Sequence, residues 1–274
     1  MSRTLLQMED VALGYTEEPV LTGVELHIAA GELVVIAGVS GCGKSTLLKG
    51  GVGLLQPMAG RVQLLGEDLA GMDEGRLVEL RSRVGLLFQG GALINSMTVA
   101  ENVALPLEHH TRLSAGAITK LVQMKLAMVG LEQAWSKAPD QLSGGMRKRA
   151  ALARAMALDP DLLLCDEPSA GLDPITAAAL DRLLLEMRAS LGVTLVVVTH
   201  ELTSIEAIAD RIVMVADGGI VFDGPLDAAR QSDEPAVRDF LERRASRPET
   251  AGRSMLQRFA GPGQPTLGDD ASSG

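Results

Sequence analysis

Residues 38–46, GVSGCGKST, constrain this chain more than any other stretch; they lie between the apolar run LVVIA (33–37) and the helix-compatible LLKGGVGLL. Glycine weakens strands and helices alike. Three glycines in this stretch therefore mark a place where the backbone turns tightly or admits a ligand. The pattern fits G-x-x-x-x-G-K-[ST], with a strand before it and a helix after it, the context that separates a phosphate-binding loop from an ordinary glycine-rich βα turn. In such a loop the N–H groups of Gly38, Val39, Ser40, Gly41, Cys42 and Gly43 turn inward around a phosphate, and the helix start adds its positive dipole end. Lys44 would reach the β- and γ-phosphates, with the hydroxyls of Ser45 and Thr46 beside it and Ser45 on Mg²⁺.

Other short apolar runs, VGLLF (84–88), LLLCD (162–166) and TLVVVTH (194–200), are separated by helical patterns. This spacing predicts parallel strands with crossover helices. The N-terminal LLQMEDVALGY and GVELHIAAGE alternate and end in turns, which predicts an antiparallel flank. Helices are expected to begin at Lys44, after Ser143 and at Pro174, the last with Asp173 as cap and proline at the first helical position. TVAE (98–101) and TSIE (203–206) both fit the capping-box pattern. Strand signals vanish between Gln89 and Pro139, so a helical insert is expected there, with Trp135 packing near its end. From about Glu249 the composition turns to Gly, Pro, Ser and Asp, which predicts a flexible C-terminal tail over 249–274.

With 274 residues, 46% of them hydrophobic, the chain can bury a sizeable core. No apolar run reaches the roughly 18–20 residues that span a bilayer, and acidic residues come too early for a secretory signal. A cytosolic location is expected. The formal net charge of −10 argues against a nucleic-acid backbone as partner, and an aromatic content of 2% argues against base-stacking platforms. The basic cluster RKR (147–149) is best taken as a solvated helix face. The two cysteines, Cys42 and Cys165, have no close Cys or His partner, so neither a disulfide framework nor a metal site is expected.

LLLCDE ends in adjacent acids, Asp166 and Glu167. Side chains alternate along a strand, so the two face different ways, Asp166 toward the Mg²⁺ sphere and Glu167 toward an attacking water as general base. Ser143, Gly144 and Gly145 open a helix, presenting N–H groups and a hydroxyl to an anion; alone, SGG is also an ordinary helix cap. LSGGM (142–146) resembles the signature sequence of ABC-type ATPases, with Met146 where glutamine is usual. Gln89 in FQGG resembles the Q-loop glutamine, DEPSAGLD the Walker B region with the D-loop, and His200 in VVTH the switch histidine. Tyr15, the single tyrosine, stands where that family has an adenine-stacking aromatic.

The resemblance runs from about Leu5 to about Phe240. It implies an α/β P-loop NTPase of the ABC type: a mixed sheet core with an antiparallel flank, in an ATPase domain over 1–248 with a helical subdomain inserted at about 90–160. It implies ATP hydrolysis by Glu167 and His200, with Mg²⁺ held by Ser45, Gln89 and Asp166. Tyr15, residues 38–46 and Gln89 would bind the nucleotide of one copy, and Ser143, Gly144 and Gly145 that of a second copy in a head-to-tail homodimer. Asp173 would couple the two sites while also capping its helix. Cys42, beside a helix N-terminus, is expected to have a lowered thiol pKa and to be shielded by bound ATP.

GALINSMTVAENVALPLEHH, together with LSGGMRKRAALARAMALDPDLLLCDEPSAGLDPI, resembles the Mla/Mce-type phospholipid-transport ATPases of Gram-negative bacteria, which share the methionine of Met146. That likeness implies a phospholipid or other hydrophobic cargo, an MlaE-like integral-membrane permease and an MCE-type substrate-binding protein. A small regulatory protein is a further partner it allows; nucleic acid is not among them. It also implies a peripheral position on the cytoplasmic face of the inner membrane. Two alternatives stand: the ATPase of another ABC importer or exporter, and a soluble ABC protein without a transport role.

Overall fold

Residues 33–37, 162–166 and 194–198 are buried throughout. Runs of this kind need cover on both faces, the condition of a parallel strand between two layers. In the computed structural model, which describes residues 3–242, the chain begins with β1 (Thr4–Leu13), β2 (Leu21–Ala29), β3 (Leu33–Ala37), α1 (Lys44–Gly51), β4 (Ala59–Leu64), β5 (Glu67–Asp68), α2 (Glu74–Arg81) and β6 (Val84–Leu87). It continues through α3 (Val99–His110), α4 (Ala115–Met128), α5 (Gly144–Ala155), β7 (Leu162–Asp166), α6 (Pro174–Leu191), β8 (Thr194–Val198) and α7 (Leu202–Ile208). It closes with β9 (Arg211–Ala216), β10 (Gly219–Pro225), α8 (Leu226–Arg230) and α9 (Pro235–Leu241). The proposed tail at 249–274 lies outside the described residues.

The main sheet has the order β10-β9-β3-β8-β7-β6, parallel except for β10 against β9. A second, antiparallel sheet has the order β2-β1-β4-β5. Alternation along the central strands divides the interior in two. Val35, Leu163, Cys165, Leu195 and Val197 join α3, α5 and α6 in one core. Val34, Ile36, Leu164, Val196 and Val198 join α1 and the antiparallel sheet in the other. Three layers result, and the C-terminal ends of β3, β7 and β8 open at one edge, where ligands bind in parallel α/β sheets.

The helix starts follow local chemistry. Thr98 makes a full capping box with Glu101, and Asp173 accepts from the N–H groups of Ile175 (3.1 Å) and Thr176 (3.0 Å), with Pro174 next to it. Two boundaries differ from expectation. β8 stops at Val198, and TSIE forms no capping box because α7 already begins at Leu202, after Glu201. The cause is a tight turn: the Thr199 hydroxyl accepts from Glu201 N–H at 3.1 Å, which ends the strand and starts the helix within four residues. Trp135 packs against the helical-side core as expected.

Asp181 of α6 is buried at 5% exposure, hydrogen-bonded to Ser204 of α7, with Oδ1 lacking a partner. Burial raises its pKa, partly offset by the Ser204 bond. An acid held above its unfolded value binds its proton more tightly when folded, so stability falls as pH rises from the unfolded pKa through the folded one. Asp181→Asn is therefore expected to raise the Tm by a few degrees at pH 8 and to bring almost no gain near pH 4. Thermal melts at the two pH values check this; an equal gain at both would refute the burial cost.

Candidate nucleotide-binding site

β3 delivers the chain into the glycine loop, and α1 carries it away at Lys44. Gly38 has φ 150°, and a Cβ there would lie 2.4 Å from the Val215 carbonyl oxygen; Gly43 has φ 104°, and a Cβ there would lie 2.9 Å from Leu21 Cδ2. Neither backbone nor space admits a side chain. Lys44 is buried and folds back, its Nζ donating to the carbonyl oxygens of Gly38 and Val39, each at 2.9 Å. A cation is thus held inside the loop by carbonyl acceptors, at the helix start where an anion is favoured.

The Ser45 hydroxyl donates to Asp166 Oδ1 at 3.1 Å, tying the start of α1 to the end of β7. Glu167 follows with φ 48°, a conformation uncommon for a residue with a side chain. This turn, not strand alternation, parts the two carboxylates. Asp166 faces Ser45, whereas Glu167 Oε1 lies 2.7 Å from His200 Nδ1. Glu167 Oε2 is buried without a hydrogen-bond partner. Such an oxygen costs about 1–3 kcal/mol when left alone and keeps an unused acceptor capacity.

A cavity of about 390 Å³ brings together Tyr15, Ser40, Gly41, Gly43, Lys44, Ser45, Thr46, Gln89, Glu167 and His200, with Val20 in addition. Tyr15 is 60% exposed at its rim, with Lys49 Nζ 5.4 Å from the ring centroid and 3.2 Å from the hydroxyl oxygen. Ser143, Gly144, Gly145 and Asp173 are not among the lining residues. The Ser143 hydroxyl caps its own helix, accepting from Met146 N–H at 3.2 Å. A Cβ at Gly145 would lie 2.4 Å from Thr176 Cγ2, so the starts of α5 and α6 are pressed together. The Thr176 hydroxyl bond, with the Thr176 and Ile175 amides, holds the Asp173 carboxyl below the usual range. Met146 packs against the helical-side core.

Two expectations need correction. Cys42 does not line the cavity; its side chain packs against the core beside the antiparallel sheet. Burial pushes its thiol pKa up, outweighing the Lys44 charge that pulls it down. Less thiolate means slower alkylation, so labelling of Cys42 by a maleimide at pH 7 should be slow and unchanged by ATP, and fast only after unfolding. ATP-dependent protection would contradict this placement.

The second correction concerns RKR. Arg147 is exposed, but Lys148 is 7% exposed and Arg149 half-buried, its Nη1 donating to the Val129 carbonyl at 3.3 Å. Lys148 Nζ donates to the backbone carbonyls of Gln89 and Glu167, the latter at 3.0 Å. Burial lowers its pKa, while Cys165, Glu167 and Asp166 act in the opposite sense. Arg154 donates to the carbonyls of Gly91 (2.9 Å) and Ala92 (2.8 Å). Asn102, buried on α3, closes the following turn through Ile94 N–H at 2.8 Å and the carbonyls of Ile94, Met97 and Thr98. A signal for Lys148 existed: it stands three and four residues before Ala151 and Leu152, on the buried side of α5.

With the phosphate loop, the paired carboxylates and the histidine assembled around one cavity, comparison with known proteins decides the family. The family described as ABC transporter matches residues 21–170. The chain belongs to it. This ABC protein is 42% identical over 238 residues to the "Intermembrane phospholipid transport system ATP-binding protein MlaF" of Escherichia coli K12, across 87% of its own length and 88% of the relative's. It is 43% identical over 221 residues to the "Probable ribonucleotide transport ATP-binding protein mkl" of Mycobacterium tuberculosis H37Rv, across 81% and 62%. Among solved structures it resembles the dimeric post-hydrolysis state of the ATP-binding cassette MJ0796 bound to ADP and Pi, with TM-score 0.75, 34% identity and 81% and 99% coverage. It also resembles cbiO1 from Clostridium perfringens, part of the cbiONQ transporter complex, with TM-score 0.77, 28% identity and 85% and 92% coverage. The chain is thus the ATP-binding, ATP-hydrolysing subunit of an ABC transporter. Among the described residues no helix is long and apolar enough to cross a membrane.

Proposed function

We propose that this ABC ATPase powers movement of phospholipid, or a lipid-like hydrophobic molecule, through a separate integral-membrane permease of the MlaE type. It would do so with an MCE-type substrate-binding protein in the same assembly and the ATPase peripheral on the cytoplasmic face of the inner membrane. The observation that carries this reading is identity of 42% to the E. coli phospholipid-transport ATPase along 87% of the chain. At that coverage the likeness extends past the phosphate loop into the helices at about 90–160. A different cargo has its own support in the 43% identity to a relative named for ribonucleotide transport.

In hydrolysis, the loop amides and Lys44 hold the β- and γ-phosphates, and Tyr15 offers a stacking face for adenine. Glu167 Oε2 accepts a proton from water as the water oxygen bonds to the γ-phosphorus and the bond to the β-phosphate oxygen breaks, leaving ADP and phosphate. His200 holds the other carboxylate oxygen through Nδ1 and so fixes the direction of Oε2. The hard oxygen donors of Ser45 and Asp166, already within hydrogen-bond distance, and the Gln89 amide at the cavity suit Mg²⁺; when bound, the ion neutralises phosphate charge. The start of α5, Ser143 to Gly145, does not line this cavity and is assigned to the nucleotide of a second copy. Asp173 lies at that same seam.

Purification of the protein from detergent-solubilised membranes, with partners identified by mass spectrometry and bound lipid extracted, tests the cargo. Recovery of a permease and an MCE-type protein with enriched phospholipid is expected. A permease complex free of lipid, carrying a nucleotide or another solute, would favour the second reading.

A further inference from the structure

Glu167, which lines the cavity, and Ala92, in the loop after β6, both hold left-handed backbone, at φ 48° and φ 49°. Each has its carbonyl held by a basic side chain of α5: Lys148 donates to Glu167 at 3.0 Å and Arg154 to Ala92 at 2.8 Å. Lys148 also donates to the Gln89 carbonyl. Backbone in this region persists only where its surroundings over-determine it. On its other side Glu167 is fixed by its N–H, which donates to the Val198 carbonyl at 2.9 Å. One buried ammonium therefore joins three elements: the signature helix, the loop after β6 and the turn that aims the catalytic carboxylate.

We propose that Lys148 is a positioning residue for hydrolysis. Its bond to the Glu167 carbonyl, beside that of the Ala170 N–H, helps keep the left-handed turn that sets where the carboxylate stands in the cavity wall. Its bond to Gln89 makes that turn depend on where the loop and α5 stand. Lys148 does not line the cavity and acts through Glu167, so the inference rests on Glu167 being the base. Its removal takes the ammonium from the Gln89 carbonyl, leaves the Glu167 carbonyl with the Ala170 N–H alone at 3.2 Å, and lets the carboxylate drift; misplacement by about 1 Å costs on the order of 100-fold in rate.

Steady-state ATPase kinetics on the full chain, with Lys148→Met, Lys148→Gln and Lys148→Arg measured beside Glu167→Gln, test this. The expected kcat order is wild type, Arg, Gln, Met, with Lys148→Met down roughly 10- to 100-fold. The KM for ATP should stay within about twofold, because Lys148 touches the Gln89 and Glu167 backbones and no nucleotide-binding side chain. If Lys148→Met does not fold, the decision falls to Arg against Gln, where the same order with level KM supports the proposal. A kcat within twofold of wild type in these variants, while Glu167→Gln is inactive, overturns it. So does a loss that follows Tm and KM together. Normal turnover in Glu167→Gln would instead sink the general-base reading itself.

Discussion

Glu167→Gln is expected to abolish turnover while leaving ATP bound. The substitution keeps shape and the capacity to bond His200 Nδ1, but removes the acceptor that takes the water proton. General-base catalysis contributes about 10²- to 10⁴-fold, so kcat should fall by at least about 100-fold. The affinity for ATP rests on the loop and Lys44 and should be unchanged. A nucleotide that binds but is not cleaved should hold two copies together, and size-exclusion chromatography with ATP should move the variant from monomer to dimer. Rapid phosphate release from Glu167→Gln would remove this residue from the base role.

Lys44→Met is expected to act at the earlier step. Lys44 Nζ is the cation held by the carbonyls of Gly38 and Val39. A charge-assisted hydrogen bond from this ammonium to a phosphate oxygen would contribute about 1.5–3 kcal/mol, which corresponds to roughly 10- to 100-fold in affinity. Titration with a fluorescent ATP analogue should show weakened binding by at least that factor, and hydrolysis should vanish with it. The two variants separate binding from chemistry: Lys44→Met fails to load, and Glu167→Gln loads and stops. Equal ATP affinity in Lys44→Met and wild type would mean that the loop does not cradle the phosphates.

Much of this arrangement is legible in the residues because phosphate chemistry imposes short-range rules. LVVIA, the glycine turn and Lys44 are contiguous, so strand, loop and helix can be predicted without knowing the sheet order. LLLCDE likewise carries its own strand and its own acids. Weakly patterned elements were harder. β4 (AGRVQL) exposes its first three residues, and β10 is only partly buried along most of its length, so neither shows the period-two contrast that marks a half-buried strand. α2, with only Leu77 and Leu80 buried, is similarly faint. The burial of Lys148 runs against the pattern that places charged residues on the solvent side, and its two acceptors are backbone carbonyls distant in sequence. For Cys42, proximity to a helix start says nothing of which way the thiol turns, and core packing outweighs the dipole. The left-handed turn at Glu167 has little local signature, since beyond the Ala170 N–H it is held by Val198 and Lys148, both distant in sequence.

The central claim is that each ATP lies between the glycine loop of one copy and the α5 start of its twin. Two Glu167→Gln proteins, one carrying Cys42→Ser with Ser40→Cys and the other Cys42→Ser with Ser143→Cys, can be mixed and treated with a short bifunctional thiol reagent. With ATP and Mg²⁺ present, a crosslinked pair containing one of each should dominate, and it should disappear when nucleotide is omitted. If no such pair forms at saturating ATP, although each protein binds nucleotide, the two elements do not share a pocket and the account is wrong.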